Sequence, residues 1–364
     1  GGSLTFNTGG KRPSLTGKLK SNQLLFSDLA PLIGGGSNQE KAERGDSVKQ
    51  PSDKVIPVEP FKTDRWNAMD ADVEYTGVHI VHGDRLPVDN LYTHLTMKDA
   101  VLALDPLKFG VAGGTVGSNI HVDGSTTPMK GTFNMGARHL KLKELFPKLA
   151  PMDTTLGELN GDASLTAVGN SPAALLGSSN GEVKLLINDG AVSSSLLELA
   201  GLNVGSYAVN KLFGDETVKI NCMAADLVTT NGNMDSKLFA FDTEKALINV
   251  TGDIDFKSEK LNLDIVPHTK GFRLFSLRSP LYVHGTMKNP SVGVHPGPLI
   301  LRGGGAVALA VFAAPVAALA ALAVPESGKA DATQCKPLLD DLKSAPPKAP
   351  PPGKTQAQAD AKKK

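Results

Sequence analysis

The chain has 364 residues, of which 40% are hydrophobic and 21% are charged, so it is long enough for one large or two ordinary domains. Its formal net charge of +1 excludes the strongly basic surface that nucleic-acid binding usually requires. The 38 glycines and 24 prolines, together with only 5% aromatic residues, favour many short strands joined by turns over long helices.

The amino-terminal part predicts two strands followed by a loop. A strand begins at Leu4, a turn follows at Gly9-Gly10, and Leu15 to Leu19 alternates as a second strand. The chain starts with glycine rather than methionine, and we expect it to be a fragment whose upstream part, with any membrane anchor it contains, is missing. Residues 34–60 have almost no apolar side chains, so they cannot offset the entropy of ordering, and their composition predicts a disordered loop.

Alternating apolar and polar residues predict a series of strands between residues 61 and 135. The clearest runs from Ala71 to His82, with Val73 and Tyr75 on one face. The same pattern predicts strands at Leu91–Met97, Val101–Leu104, Val116–Val122 and Gly131–Met135. Because tight turns separate consecutive strands, the pattern favours an antiparallel meander.

From residue 218 onward the alternation separates an apolar face from a polar face. Strands are predicted at Val218–Cys222, Leu238–Asp242, Ala246–Phe256, Leu261–Val266 and Leu281–Thr286. The positions predicted on the apolar face are Val218, Ile220, Ile248, Val250, Ile254, Phe256, Leu261, Leu263 and Ile265. Short helices are predicted only near residues 24–32, 140–149, 193–213 and 306–324, which are too few to cover such a face.

Residues 299–325 form a predicted apolar helical segment, and residues 326–364 a disordered tail rich in lysine, proline and alanine. The stretch from Ala306 to Val324 is close to the roughly 20 residues that span a bilayer. Alanine is nearly neutral for insertion, however, and Pro315 interrupts the stretch. A spanning helix is therefore one interpretation, and the favoured one is a helical cap or amphiphilic segment that either packs on the sheet or touches a membrane surface.

The sequence shows no pattern typical of catalysis or of metal binding. His79 and His82 are separated by an odd number of positions, which places them on opposite faces of a strand. The glycine runs lack the Gly-Lys-Ser/Thr ending of a phosphate-binding loop. We therefore predict a protein that is not an enzyme and uses no cofactor or metal. Cys222 and Cys335 are the two cysteines, and they are either unpaired thiols or one disulfide in an oxidising compartment.

Several of these segments occur in an order that resembles a known family. The most specific are Met69–Val73 and Leu104–Gly114, and they are followed by a turn at Gly169–Pro172 and by Leu299–Gly305. This order resembles the carboxy-terminal periplasmic region of AsmA family proteins, which look like bridge-type lipid transport proteins of Gram-negative bacteria.

The resemblance implies a mainly β fold, in which an elongated, curved antiparallel sheet forms an open apolar groove. Residues 1–298 would be one periplasmic domain of a protein anchored in the inner membrane. The implied function is binding or conducting phospholipids between the two membranes in support of outer-membrane biogenesis, with acyl chains in contact with the nine apolar positions. The alternative is an assembly or scaffolding factor for outer-membrane proteins that uses exposed sheet edges and envelope protein partners.

Two of the structural questions stay open at this point. The apolar positions could line a groove, or they could form the closed core of a sandwich. In a periplasmic setting the disulfide between Cys222 and Cys335 becomes the favoured interpretation of the two cysteines.

Overall fold

Fifteen strands form one sheet in which each strand pairs with the strands that precede and follow it in the sequence. The computed structural model describes residues 1–25, 38–43, 48–63, 66–81, 88–145, 157–193, 217–270 and 281–294. The strands are β1 Gly2–Asn7, β2 Ser14–Leu25, β3 Asp70–Val81, β4 Val88–Lys98, β5 Val101–Val111, β6 Gly114–Asp123, β7 Lys130–Lys141, β8 Glu158–Val168, β9 Asn180–Ser193, β10 Thr217–Thr230, β11 Asn233–Thr243, β12 Ala246–Asp255, β13 Lys260–Thr269, β14 Leu281–Thr286 and β15 Pro290–Val294. The described helices are short: α1 Asn38–Glu43, α2 Leu142–Leu145 and α3 Pro172–Leu176.

The sheet is curved and does not close, because β1 and β15 are its two edges. This confirms the predicted mainly β fold with an open sheet. The antiparallel prediction holds for thirteen of the strand pairs and is wrong for one, since β2 and β3 are parallel, with Leu15 opposite Ala71 and Gly17 opposite Val73. Parallel pairing requires a connection of about a dozen residues or more, and residues 26–69 provide one between these two strands.

Some strands extend past residues, such as proline, that the sequence pattern marks as strand ends. A β-bulge accommodates such a residue within the strand. In β5 the pairing with β6 shifts register between Leu104 and Leu107, and this shift accommodates Pro106 within the strand. Strand β12 has no such extension, but it passes through Gly252, whose φ is +115°. A Cβ atom there would lie 2.1 Å from the carbonyl oxygen of Asn262, so only glycine permits this close approach.

Residues 48–63 form a strap across the turns at one end of the sheet. The backbone N–H groups of Val55 and Ile56 donate to the carboxylate of Glu259 at 2.7 and 3.2 Å. The strap also pairs with the turn before α3, because Phe61 N donates to the carbonyl oxygen of Asn170 at 2.7 Å. The sequence predicted a disordered loop over residues 34–60. In the structure, residues 48–60 belong to the strap and residues 38–43 form α1. Residues 34–37 and 44–47 lie outside the described part.

Other predicted segments fall partly or wholly outside the described residues. Leu24 and Leu25 belong to β2 rather than to the predicted helix over residues 24–32, whose remainder is not described. The helix predicted over residues 140–149 corresponds in the described part to α2. Residue 193 ends β9, residues 194–213 are not described, and the apolar segment 299–325 and the tail 326–364 lie outside as well. Among the described helices, none has the length and apolar character needed to cross a membrane.

Candidate functional site

The pairing register shows which side chains share a face of the sheet. Residues directly opposite each other in neighbouring strands point to the same side, and so do alternate residues of one strand. Phe6 lies opposite Leu15, Leu15 opposite Ala71, and Ala71 opposite Met97. Following the register in this way from β1 to β15 defines one continuous surface, which we call the apolar face.

The apolar face contains a hydrophobic side chain from every strand. One representative per strand, in order, is Phe6, Leu15, Val73, Leu95, Leu104, Ile120, Phe133, Leu165, Val183, Leu227, Phe239, Val250, Leu263, Val283 and Val292. None of these fifteen side chains is polar or charged. The described strands form one sheet rather than two, so the closed-sandwich interpretation is wrong for this part of the chain.

The opposite surface, which we call the polar face, carries ion pairs between neighbouring strands. Lys18 Nζ lies 2.9 Å from Glu74 Oε2, and the hydrogen bond between them raises the pKa of Lys18. Arg138 Nη1 lies 2.9 Å from Asp162 Oδ1 between β7 and β8. Pairs of opposite charge across strands favour this register, and they make the polar face a hydrated surface where it is exposed.

The hairpin of β12 and β13 contains six of the nine positions that the sequence placed on the apolar face. Val250 lies opposite Ile265, and Ile254 lies opposite Leu261. Leu263 lies opposite Gly252 on the same face, and Ile248 lies opposite Pro267. The register therefore brings all six together on one side of the hairpin, which is the arrangement that the alternation predicted.

Two more predicted positions lie on β10 and reach the same face through a bulge. The β10–β11 register shifts between Ile220 and Cys222, and Ile220 lies opposite Thr243. Val218 and Ile220 then pack with Ala246 and Ile248 in a cluster whose members are at most 5% exposed. This cluster is the best sealed part of the apolar face, and Phe241 and Ile265 pack against it.

The ninth predicted position, Phe256, lies beyond the end of the strand, where the pairing register assigns it to neither face. Strand β12 ends at Asp255, and Phe256 belongs to the following turn, where its N–H donates to the carbonyl oxygen of Gly232. Asp255 ends the strand because its carboxylate accepts hydrogen bonds from Lys257 N and from the hydroxyl of Ser258. The Ser258 hydroxyl also lowers the pKa of Asp255, followed by smaller contributions from the turn amides.

Away from the sealed cluster, the apolar face remains accessible to solvent. Val250, Leu263 and Val283 are half-buried. Phe6 at one edge is 59% exposed, Met135 in the middle is 41% exposed and Val292 at the other edge is 66% exposed. Exposed apolar surface that runs across a whole sheet is typical of a binding surface rather than of a closed core.

Strands β7 and β9 also place hydrophobic residues on the apolar face, and these residues were not among the nine predicted positions. Phe133 and Met135 of β7 alternate with Asn134, and Val183 and Leu185 of β9 alternate with Lys184. They were missed because polar and small residues interrupt the alternation of these strands more often than in β12 and β13.

The remaining predicted sites concern cysteine and metal chemistry. Cys222 lies on the polar face of β10, buried and opposite Asp242, and its thiol is not free. Cys335 lies outside the described residues, so the pairing of the two cysteines stays a prediction. In the described ranges no three His, Cys, Asp or Glu side chains lie close enough to hold a metal ion.

The fold and the face together define a class of protein, an open single-layer β-sheet with one apolar and one charged surface. The AsmA family model matches residues 1–239 of this chain. The chain is also similar to the AsmA family protein YhjG of Escherichia coli (strain K12), with 52% identity over 349 residues, which are 94% of this chain. It spans about half, 51%, of that relative's length. No solved structure matches the chain.

The chain therefore belongs to the AsmA family, whose members are envelope proteins.

Proposed function

We propose that this chain binds phospholipid acyl chains on its apolar face and conducts them between the inner and outer membranes. The observation that carries the proposal is the continuity of the apolar face across all fifteen strands. In this proposal the chain is the periplasmic region of an inner-membrane-anchored protein, it performs no catalysis, and it supports outer-membrane biogenesis and lipid homeostasis.

The dimensions of the sheet suit several acyl chains at once. Strands lie about 4.8 Å apart, so the fourteen intervals between fifteen strands extend about 67 Å. A bilayer core is about 30 Å thick, so one acyl chain of a leaflet extends about 15 Å. The apolar face can therefore accommodate about four acyl chains end to end along the direction in which the strands stack.

The chemistry of the face suits movement as well as binding. Each buried methylene contributes about 0.8 kcal/mol, so about six methylenes in contact contribute about 5 kcal/mol. That free energy holds a lipid tail without any polar recognition. Because the representative residues of neighbouring strands are all hydrophobic, an acyl chain meets a similar surface at each step, and no single strand traps it.

The two faces of β12 provide a test with a built-in control. A photocrosslinking amino acid is introduced at Val250, on the apolar face, or at Thr251, the adjacent exposed position on the polar face. After irradiation in cells, we expect phospholipid adducts at position 250 and background levels at position 251. Native mass spectrometry of the purified full chain should also detect bound phospholipid. Equal labelling at the two positions, with lipid-free protein, contradicts the proposal.

The open edges of the sheet favour a second candidate function, the assembly or scaffolding of outer-membrane proteins. Every residue of the edge strand β1 is exposed, and β1 pairs only with β2 among the described strands. Such an edge can add a strand from a partner protein. Protein adducts from a photocrosslinker at Thr5, in the absence of lipid adducts at Val250, would favour scaffolding over lipid transport.

A further inference from the structure

A line of hydroxyl side chains crosses the apolar face between β3 and β6. Tyr75 of β3 lies opposite Thr93 of β4. Leu107 of β5 lies between Thr93 and Ser118 of β6 and is opposite both. Tyr75 follows Val73 by two positions, so this line lies on the apolar face, directly beside the representative hydrophobic residues. We call Tyr75, Thr93 and Ser118 the hydroxyl row.

The hydroxyl groups of the row are buried without a hydrogen-bond partner. Thr93 is 8% exposed and Ser118 is 5% exposed. Within the described part of the chain, their hydroxyl oxygens and the phenol oxygen of Tyr75 neither donate nor accept a hydrogen bond. A buried polar group that is left unpaired lowers the stability of a fold. A ligand that brings acceptor atoms to the row removes this cost.

The surroundings of the row disfavour a charged ligand group. Along each strand, the positions two residues before and after a row member point to the same face. These flanking positions are Val73 and Gly77 on β3, Leu91 and Leu95 on β4, and Val116 and Ile120 on β6. A phosphate or an ammonium group buried among them without a partner costs far more free energy than a neutral carbonyl group. The row therefore fits a neutral acceptor that is attached to an acyl chain.

The three hydroxyl groups are spaced so that each can bind a different acceptor. A Cβ atom at Gly77 would lie 3.3 Å from the phenol oxygen of Tyr75, so the tyrosine ring extends along β3 over this glycine. The phenol oxygen is thereby displaced along the strand from Thr93. Thr93 and Ser118 are two strand intervals apart, which is about 10 Å. That separation is too large for them to share one carbonyl oxygen.

The row is polar only in the first half of the sheet. Beyond Ser118, the register continues with Met135 on β7, Ala163 on β8 and Val183 on β9. A carbonyl group that moves along this line therefore loses its hydrogen-bond donors at β7. The apolar face holds acyl chains along its whole length, but among these strands it offers hydroxyl donors to a polar linkage over β3–β6.

We propose that Tyr75, Thr93 and Ser118 donate hydrogen bonds to the ester carbonyl oxygens of a diacyl lipid whose tails lie on the neighbouring hydrophobic positions. The hydroxyl groups are buried, so the ester reaches them as the side chains around them rotate. Met135, at the end of the row, is unbranched and adapts easily to such a change. The inference rests on the proposed lipid-binding function and adds to it a preference for acyl esters over chains that lack a carbonyl group.

An ether analogue of the same lipid tests the proposal. The full chain is incubated in detergent with equal amounts of dipalmitoyl phosphatidylethanolamine and its dihexadecyl ether analogue. The two lipids share the headgroup and the tail length, but the ether has no carbonyl group. Native mass spectrometry measures how much of each lipid is bound. We expect the ester to bind about tenfold more than the ether, which is the preference that one or two hydrogen bonds provide.

Variants of similar shape assign this preference to the hydroxyl row. Tyr75→Phe combined with Thr93→Val and Ser118→Ala removes the three hydroxyl groups, and we expect the two lipids to bind this variant about equally. Because the removed groups have no partner within the described ranges, the variant should unfold at the same temperature as the unsubstituted chain or at a higher one.

The control removes three hydroxyl groups from the polar face of the same strands, with Thr76→Val, Thr96→Val and Thr115→Val. It should keep the tenfold preference for the ester. The proposal is overturned if the two lipids bind the unsubstituted chain equally, if the preference survives the loss of the row, or if the row variant unfolds at a lower temperature than the control. When lipid binds without a preference, only the hydroxyl row is refuted, whereas the proposed function fails as well when neither lipid binds.

Discussion

Glu259 provides the sharpest test of how the strap is attached to the sheet. Its side chain is 1% exposed, and each carboxylate oxygen accepts one backbone N–H, from Val55 and from Ile56. Glu259→Gln keeps the length of the side chain but replaces one oxygen with an NH₂ group. One of the two amides then loses its acceptor and faces a second donor in a buried site.

The size of the effect follows from these two hydrogen bonds. A hydrogen bond to a charged group contributes about 1.5–3 kcal/mol, and the unpaired amide cannot reach water without moving the strap. We expect Glu259→Gln to reduce the free energy of unfolding by about 1.5–3 kcal/mol. For a domain of this size, a loss of 1 kcal/mol lowers Tm by about 2–4 °C, so the expected shift is about 3–12 °C.

Thermal unfolding measures this shift, and trypsin cleavage after Lys54 reports release of the strap. The control is Glu158→Gln, which alters the contact between His139 Nδ1 and Glu158 Oε2, in which the glutamate side chain is 47% exposed. Exposed pairs contribute little, so the control should change the free energy of unfolding by less than about 0.5 kcal/mol. If the two variants unfold at the same temperature and Lys54 is cleaved equally fast in both, the strap is not held by Glu259 and the reasoning is refuted.

Three further predictions concern the two faces and one turn. Leu263→Asp should reduce co-purifying phospholipid severalfold, whereas Asn262→Asp, on the polar face of the same strand, should not; lipid extraction and mass spectrometry measure both. The Ser258 hydroxyl lowers the pKa of Asp255, so this carboxylate stabilises the fold above its ordinary pKa and loses the contribution as pH falls; the stability difference between Asp255→Asn and the unsubstituted chain should shrink as pH falls below the ordinary aspartate pKa of about 3.9. Arg138→Met removes the arginine partner of the buried Asp162 and should cost about 1–3 kcal/mol in chemical denaturation. Adding Asp162→Asn should recover part of that loss, and a purely additive result would show that the pair is not coupled.

The alternation of β12 and β13 was enough to predict their shared face. Side chains two positions apart point the same way in any strand, so Val250 and Leu263 belong to an apolar side whatever the partner strands are. Phe256 fits the same period but lies beyond the strand end, because Asp255 accepts hydrogen bonds from its own turn. The hydrogen bonds of the turn end the strand there, although the alternation of hydrophobic residues continues, and hydrophobicity alone does not predict such hydrogen bonds.

The strap and the parallel strand pair illustrate what local patterns cannot encode. Residues 48–60 look disordered because they contain few apolar side chains, yet their amides are bound by Glu259, about two hundred positions further along the chain. Likewise, the parallel pairing of β2 with β3 depends on where residues 26–69 return to the sheet, not on the composition of either strand. Both features depend on contacts between distant segments.

The sequence by itself determined that this protein is a β-rich sheet with an apolar and a polar side, because strand periodicity and turn residues act over a few positions. Its family also followed from local segments, and the match over residues 1–239 bears this out. Only the tertiary structure decided that the apolar side is continuous from β1 to β15, because continuity depends on the register of every neighbouring pair and on the bulges that correct it.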